Sequence, residues 1–261
     1  MKFIPISAKL NFGVRKAGLL LIMLFVFLVS VNAQQLDYLN SYWYTIQDTS
    51  KYPFTHFRIT QEDSVRKSVR IFTCDSTLVY RRIEILPQKQ EPLTETEVWY
   101  AKETGQKTLA SEYSDKSKRK ESIRFYETGK IKSIKITEHD ELVKENYFSQ
   151  TGEEIPKPEI VQALPKGGIA GWSKYLSKNL IYPEDARFLD VEGLVYLHFY
   201  VTEEGKMEEI ELMNPEENHP SLNKEALRVV SMYPYLWSPS IENGKAIRSE
   251  VRLPIRFKLT D

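Results

Sequence analysis

The last predicted strand of the chain reads Val251-Arg-Leu-Pro-Ile-Arg-Phe-Lys-Leu259. Its apolar residues fall at every second position, which places them on one face of a strand and predicts a core beneath it. The residues between them, Arg252, Pro254, Arg256 and Lys258, point to the opposite face. Because proline has no N–H to donate to a ladder, Pro254 predicts an edge strand, or a strand that is paired on one side only at that point.

A predicted edge strand of this composition allows two interpretations. Exposed edges invite aggregation, and proline and positive charge protect an edge against it. An edge is also the place where an extended partner peptide can add a strand, and Arg252, Arg256 and Lys258 would favour acidic neighbours in that peptide. The residues of the strand alone favour neither interpretation over the other.

Helical periodicity appears twice upstream of this strand. A first amphipathic helix is predicted to end before Tyr182-Pro183, and a second is predicted over residues 221–232. The apolar positions of the first helix are Ile169, Trp172, Leu176 and Leu180.

Alternating patterns between and after these helices predict strands. One strand is predicted over residues 194–202, opening at Gly193, and a second over residues 206–213. Asn243-Gly244 is a strong tight-turn dipeptide shortly before the last strand, which we predict to run to Leu259.

The order of motifs in this region resembles the C-terminal domain of TonB, in the variant common in Bacteroidetes energy transducers. The resemblance covers roughly residues 158–260. Its motifs are Leu164-Pro-Lys-Gly-Gly168, Tyr175-Leu-Ser-Lys-Asn-Leu-Ile-Tyr-Pro183, Gly193-Leu-Val-Tyr-Leu-His-Phe-Tyr-Val201, Leu222-Asn-Lys-Glu-Ala-Leu-Arg-Val-Val230, Trp237-Ser-Pro239, Asn243-Gly-Lys245 and Leu253-Pro-Ile-Arg-Phe-Lys-Leu259.

The resemblance implies an α+β domain over residues 163–261, with a three-stranded antiparallel sheet and two helices. It also implies a periplasmic protein that binds an extended peptide of an outer-membrane receptor by strand addition and contributes to TonB-dependent transport. Matched positions imply the peptide-binding residues Tyr182, Pro183, Arg252, Pro254, Arg256 and Lys258. The residues with implied structural roles are Gly193, which starts the sheet, Trp237 and Pro239, which fix the entry to the last strand, and Gly244.

Residues 34–154 are predicted to form a domain of mostly antiparallel β-strands with a repeat-like organisation. Short alternating stretches indicate strands, and an aromatic pair precedes each of the turn glycines Gly105, Gly129 and Gly152. This repeat resembles the MORN-type hairpin repeats of bacterial secreted proteins. Residues 155–162 are predicted to be a linker, because Pro156 and Pro158 favour an extended chain.

The first 33 residues predict an export signal. A basic segment precedes the apolar run 17–31, and Val31-Asn-Ala33 is a small-x-small cleavage pattern. Cleavage would start the mature chain at Gln34. In the competing interpretation, residues 17–31 stay as an inner-membrane anchor, through which the chain could engage a proton-motive complex.

Composition excludes several functional classes. Lys+Arg and Asp+Glu balance at 36 each, with no basic block, which argues against nucleic acid as a partner. Cys74 is the one cysteine, so neither an intramolecular disulfide nor a Cys-based zinc site is possible; we predict it to be buried. The sequence has no phosphate loop, nucleophile elbow or zinc-protease motif, and the glutamates of residues 208–217 are predicted to form a solvated face.

We therefore predict a protein that is not an enzyme and needs no cofactor or metal. The alternative to a receptor-binding TonB-like protein is a non-transducing periplasmic or secreted scaffold, which would use both the repeat region and the C-terminal domain to bind partners.

Overall fold

A computed structural model describes residues 33–88 and 92–259, which divide into two compact units. Of these residues, unit 1 contains 33–38 and 54–154, and unit 2 contains 39–53 and 155–259. The sequence predicts that residues 39–53 belong to the repeat region, whereas in the structure they group with the C-terminal residues. The predicted export signal lies outside the described residues except for Ala33, where the first strand begins.

Unit 1 is a long sheet in which neighbouring strands follow one another along the chain. From β3 to β10 every consecutive pair is antiparallel, and β1 lies beside β3. The strands are β1 (Ala33–Leu39), β3 (His56–Glu62), β4 (Arg66–Thr73), β5 (Leu78–Ile85), β6 (Thr94–Tyr100), β7 (Lys107–Ser114), β8 (Arg119–Phe125), β9 (Ile131–Glu138) and β10 (Glu141–Phe148), with β2 (Thr45–Ile46) falling in the residues of unit 2 and β11 (Glu154–Ile155) at the boundary.

The tight turns predicted at the three repeat glycines are confirmed. Gly105, Gly129 and Gly152 have φ angles of 66°, 79° and 96°, in the left-handed region that glycine enters without steric cost. The prediction for Cys74 is wrong. Its side chain is exposed, because it follows the end of β4 and lies in the turn to β5.

Unit 2 has the predicted α+β architecture. Its main sheet is three-stranded and antiparallel, in the order β14-β13-β17, and it is backed by helices. A second small sheet has the order β12-β15-β16. The elements are β12 (Ile160–Val161), α1 (Gly168–Asn179), α2 (Glu184–Phe188), β13 (Gly193–Val201), β14 (Met207–Leu212), a 3-10 turn (Pro215–Glu217), α3 (Pro220–Ser231), β15 (Ser240–Glu242), β16 (Lys245–Ile247) and β17 (Ser249–Phe257).

Three details of unit 2 differ from the prediction. The predicted linker contains β12, which pairs antiparallel with β15. The last strand ends at Phe257, two residues before Leu259. Ile169, assigned to the apolar face of the first helix, is 66% exposed, because the residues of α1 that face the core begin with Trp172, one turn later.

A single apolar cluster forms the core of unit 2. Strand β13 contributes the alternate residues Val195, Leu197, Phe199 and Val201, all of them inaccessible to solvent. Helix α3 covers them with an apolar stripe that includes Leu222, Ala226, Val229 and Val230, and β17 adds Leu253, Ile255 and Phe257. The core therefore lies on one face of the sheet and leaves the opposite face, here called the outer face, for polar residues.

Candidate functional site

Strand β17 is an edge strand, as Pro254 predicts. Among the described residues it pairs only with β13, from Gly193 opposite Phe257 to Val201 opposite Ser249. Its apolar residues point into the core. The three residues between them that the sequence assigned to the opposite face, Arg252, Pro254 and Arg256, are all exposed.

The backbone of Tyr196 fixes the direction of the hydrogen-bonding groups at this edge. The Tyr196 N–H donates to Asn214 Oδ1 at 2.9 Å, and its carbonyl accepts from the Met213 N–H at 2.9 Å. Both groups thus point to the β14 side, away from β17. Since Tyr196 lies opposite Pro254, these two residues form a non-hydrogen-bonded pair. The nitrogen and carbonyl of Pro254 therefore face the open edge.

In an antiparallel strand, the backbone N–H and carbonyl groups of every second residue point to the same side. The backbone groups of Arg252 and Arg256, two residues to either side of Pro254, therefore also face the open edge. The open edge presents the carbonyls of all three residues but only the two arginine N–H groups as donors. The donor that proline lacks is therefore missing from the open edge, and no hydrogen bond to β13 is lost. Lys258 is exposed but comes after the end of the strand.

The outer face beside this edge is a network of charged and aromatic side chains. Glu250 Oε1 accepts a hydrogen bond from Arg252 Nε at 2.7 Å and lies 3.3 Å from His198 Nε2. His198 is only 6% exposed, with its ring perpendicular to that of Tyr200 at 5.0 Å. The guanidinium of Arg248 stacks 3.6 Å above the Tyr200 ring.

Residues 39–53, here called the N-terminal cover, lie against this outer face. The Tyr42 hydroxyl donates to Glu211 Oε2 at 2.6 Å, and its ring centroid is 5.1 Å from that of His198. Burial and the bond to Glu211 both raise the pKa of Tyr42 above its usual range. Asn40 Nδ2 donates to the carbonyl of Met213 at 2.7 Å. These contacts hold the cover on the β13 and β14 side of the outer face.

Glu216 anchors a second part of the cover. Its carboxylate accepts the N–H groups of Gln47 and Asp48 at 2.8 and 2.9 Å. The predicted solvated acidic face is confirmed for Glu208, Glu209, Glu211 and Glu217, which are exposed, whereas Glu216 is half-buried; Glu211 and Glu216 also bind the cover. Sequence reasoning missed these contacts because the partners are about 170 residues apart and follow no periodicity.

Tyr182 and Pro183 are placed away from the exposed side chains of the edge. The Tyr182 hydroxyl donates to the Val191 carbonyl at 2.6 Å, and its ring is perpendicular to that of Phe257 at 5.8 Å. Tyr182 therefore packs on the core side of the final residue of β17. Pro183 is the N-cap of α2 and keeps an extended backbone there. The structure does not bring either side chain together with Arg252, which lies on the outer face.

A buried carboxylate holds the chain just before Tyr182. Glu225 Oε1 accepts the Ile181 N–H at 2.7 Å, and both oxygens of Glu225 accept from the Arg228 guanidinium at 2.6 Å. Arg228 also donates to the Asn179 carbonyl at the end of α1. Burial opposes the charge of Glu225, but these hydrogen bonds outweigh it and lower its pKa. The cluster joins α3 to the segment that positions Tyr182.

Two glycines of unit 2 lie where an added Cβ would come too close to a neighbouring atom. A Cβ at Gly193 would lie 2.5 Å from Asn218 Oδ1 and 2.9 Å from Leu222 Cδ1. Gly205 has φ +83°, and a Cβ there would lie 2.1 Å from the Trp237 carbonyl oxygen. The Trp237 N–H also donates to the Gly205 carbonyl at 2.9 Å. Trp237 is thus fixed in the core by the turn between β13 and β14.

The remaining predicted structural residues surround the β15–β16 hairpin. Pro239 lies between Trp237 and β15, so this stretch leads into the hairpin before the chain reaches β17. Asn243 and Gly244 have φ angles of 50° and 80°, and their flanking residues Glu242 and Lys245 pair directly. The predicted tight turn is confirmed, because a two-residue loop with both φ angles positive is a type I′ hairpin.

Comparison with protein families identifies the C-terminal part of the chain. Residues 178–259 match the family model of the Gram-negative bacterial TonB protein C-terminal domain. The match starts at the end of α1 and includes the whole β14-β13-β17 sheet and α3, which confirms the resemblance to TonB. The MORN-type resemblance of unit 1 stays a prediction. No curated protein matches the chain.

The match indicates a TonB-like envelope protein that takes part in TonB-dependent transport. No helix among the described residues combines the length and the apolar composition needed to span a bilayer.

Proposed function

We propose that this chain, whose residues 178–259 are similar to the TonB C-terminal domain, is a periplasmic protein that binds an extended peptide of an outer-membrane receptor. The peptide would add as a strand to the open edge of β17. The observation that carries the proposal is the outward direction of the backbone groups of Arg252, Pro254 and Arg256. No catalytic step and no cofactor form part of this function.

The edge can recognise the peptide both through main-chain hydrogen bonds and through the charge of its side chains. Strand addition takes its affinity from main-chain hydrogen bonds and its specificity from alternate side chains. Here the arginine N–H groups on either side of Pro254 would donate to peptide carbonyls, and the edge carbonyls would accept peptide N–H groups. Arg256 and Lys258 are exposed and would favour acidic residues in the peptide, whereas Arg252 is already paired with Glu250.

Two substitutions of one residue separate these contributions. Arg256→Pro removes an outward N–H while leaving the hydrogen bonds to β13 in place, because position 256 points away from that strand. Arg256→Gln is the matched control, which removes the charge and keeps the donor. We expect the proline variant to weaken binding about tenfold and the glutamine variant a few-fold at low salt.

The binding experiment is fluorescence anisotropy with a labelled synthetic peptide that copies the periplasmic plug segment of a TonB-dependent receptor. The same peptide with a central proline should lose affinity for the unsubstituted protein. Strand addition at β17 would be contradicted if the Arg256→Pro and Arg256→Gln variants bound the peptide equally well. It would also be contradicted if the unsubstituted protein bound the proline-containing peptide as tightly as the original peptide.

Export is the second part of the proposal, and it rests on the predicted signal in residues 1–33. The intact mass and N-terminal residue of protein recovered from its native envelope test it directly. We expect a chain that starts at Gln34. A retained N-terminus would contradict cleavage and would favour an anchor formed by residues 17–31, and with it direct coupling to an inner-membrane proton-motive complex.

A further inference from the structure

A pocket of about 420 Å³, lined mostly by charged and polar residues, opens on the sheet of unit 1, between β3, β4 and β5. It is well removed in sequence from the residues of the β17 edge. Arginine is the commonest residue of its lining. The residues that matter for its chemistry are Gln61, Arg66, Ser68, Arg70, Arg81 and Ile83.

The strand register places these side chains on one face. Arg70 of β4 lies directly opposite Arg81 of β5. Ser68 lies opposite Gln61 on one side and Ile83 on the other. Since side chains at alternate positions share a face, Arg66, Ser68 and Arg70 project together between these neighbours.

This arrangement has an electrostatic cost in the absence of a ligand. Like charges directly opposite one another in a sheet repel. Within the described part of the chain, none of the three arginines of the pocket has a carboxylate within ion-pair distance. By contrast Arg82, the neighbour of Arg81 on the opposite face, pairs with Glu95 at 2.7 Å.

The two acidic residues that also line the pocket are engaged elsewhere. Glu62 Oε2 lies 3.4 Å from the Nζ of Lys67, its cross-strand partner. Asp63 Oδ1 accepts the N–H groups of Val65 and Arg66 at 2.8 and 2.7 Å, which closes the β3–β4 turn. These bonds hold the pKa of Asp63 below its usual range. Asp63 also interacts with the charge of Arg66, but neither carboxylate is within ion-pair distance of Arg70 or Arg81 among the described residues.

Arg70 is held in position for a ligand. Its Nη2 donates to Gln61 Oε1 at 2.7 Å, which fixes the plane of the guanidinium. Its Nε is buried and has no hydrogen-bond partner. A buried donor without an acceptor is unfavourable, and an acceptor that enters the pocket would relieve it.

We propose that this pocket binds the oxoanion group of a ligand through Arg66, Arg70 and Arg81. Guanidinium groups recognise carboxylate, phosphate and sulfate oxygens with paired N–H donors, and Ser68 adds a hydroxyl. Ile83 supplies an apolar surface beside the charged group. The pocket therefore suits an organic anion better than a bare inorganic ion.

The test measures binding of simple oxoanions to the full chain. Inorganic phosphate, sulfate and malonate are titrated by calorimetry and by thermal unfolding, each against sodium chloride at matched ionic strength. We expect at least one oxoanion to raise the melting temperature above the chloride control. Arg81→Gln should weaken its binding about tenfold. Arg124→Gln, which neutralises an exposed arginine of β8 outside the pocket, should bind like the unsubstituted protein.

The pattern of responses identifies the anion class. Binding of phosphate and sulfate alone supports a tetrahedral oxoanion, and binding of malonate alone supports a carboxylate. Arg70→Lys keeps the charge but loses the guanidinium fork, so it should bind less tightly than the unsubstituted protein while staying folded by circular dichroism. The proposal is overturned if every oxoanion acts like chloride, or if Arg81→Gln and Arg124→Gln bind equally.

Discussion

The two units bury their apolar residues in different ways. Unit 2 gathers its apolar residues into one cluster, in which Leu197, Phe199 and Ile255 have no solvent exposure. In unit 1 the buried apolar residues, such as Ile71 and Val98, are spread along a sheet and keep a small exposed fraction. Unit 2 is therefore stabilised mainly by side-chain packing, and unit 1 mainly by the pairing of each strand with its neighbours.

This difference explains where each unit can carry function. In unit 2 the core lies on one face, so its outer face and the edge of β17 are available for binding. In unit 1 both faces of most strands are only half-buried, so a central strand such as β4 can expose charged residues in a pocket. Four measurements test this contrast between the two units.

The largest effect is expected in the core of unit 2. Ile255→Ala removes a fully buried side chain from the cluster and should lower the free energy of unfolding by about 3–5 kcal/mol. Urea unfolding measures this loss, and hydrogen exchange by mass spectrometry should show it in the peptides of β13 and β17. A loss below about 1 kcal/mol would contradict the single packed core.

The same chemical change in unit 1 is the matched comparison. Ile71→Ala, at a side chain that is 4% exposed, should cost about 2 kcal/mol, because a sheet with less packing above it leaves a smaller cavity. Hydrogen exchange should report the change in β3, β4 and β5 and leave β13 unchanged. If Ile71→Ala cost as much as Ile255→Ala, the contrast between the two units would be wrong.

A smaller effect is expected at the Glu225 cluster. Glu225→Gln weakens the bonds to Arg228 and Ile181 and should cost about 1–2 kcal/mol at neutral pH. Because folding lowers the pKa of Glu225, its contribution is fully present above the unfolded value of about 4.3 and is lost as the pH falls through the folded value. The variant and the unsubstituted protein should therefore converge in stability below about pH 4. A difference that stays constant as the pH falls well below about 4 would argue against a charged Glu225.

The smallest effect has the opposite sign. In a buffer without oxoanions, Arg81→Gln should stabilise unit 1 by about 0.2–1 kcal/mol, because it removes the repulsion between Arg81 and Arg70. Thermal unfolding in sodium chloride, with Arg124→Gln as the control, checks this. A destabilised Arg81→Gln variant would show that the arginine pair is not repulsive.

Sequence reasoning succeeded where local patterns decide the structure. The alternation around Pro254 predicted the edge, and Asn243-Gly244 predicted the hairpin turn, because each depends on residues next to one another. The helical periodicity also predicted α1 and α3. It placed Ile169 on the core-facing side of α1, but the residues of this helix that face the core begin one turn later, at Trp172. Register between strands decides the arginine pocket, and no pattern within a single strand reveals that Arg70 meets Arg81.

The N-terminal cover was beyond prediction for a different reason. Asn40 and Tyr42 bind Met213 and Glu211, which lie about 170 residues away in the sequence and carry no complementary motif. A hydrogen bond between two single residues produces no repeating pattern in the sequence from which it could be predicted. The short alternating stretches nearby also favoured assigning residues 39–53 to the same β-rich domain as the repeats.

The N-terminal cover has a mechanical consequence. The chain first joins unit 2 at residues 39–53, leaves it at Phe54 and returns at Ile155. Tension between residue 39 and the sheet of unit 2 would pass through the hydrogen bonds of Asn40 to Met213 and of Tyr42 to Glu211. These bonds close a loop of about 170 residues of chain, so they must break before such a load can extend the residues inside that loop.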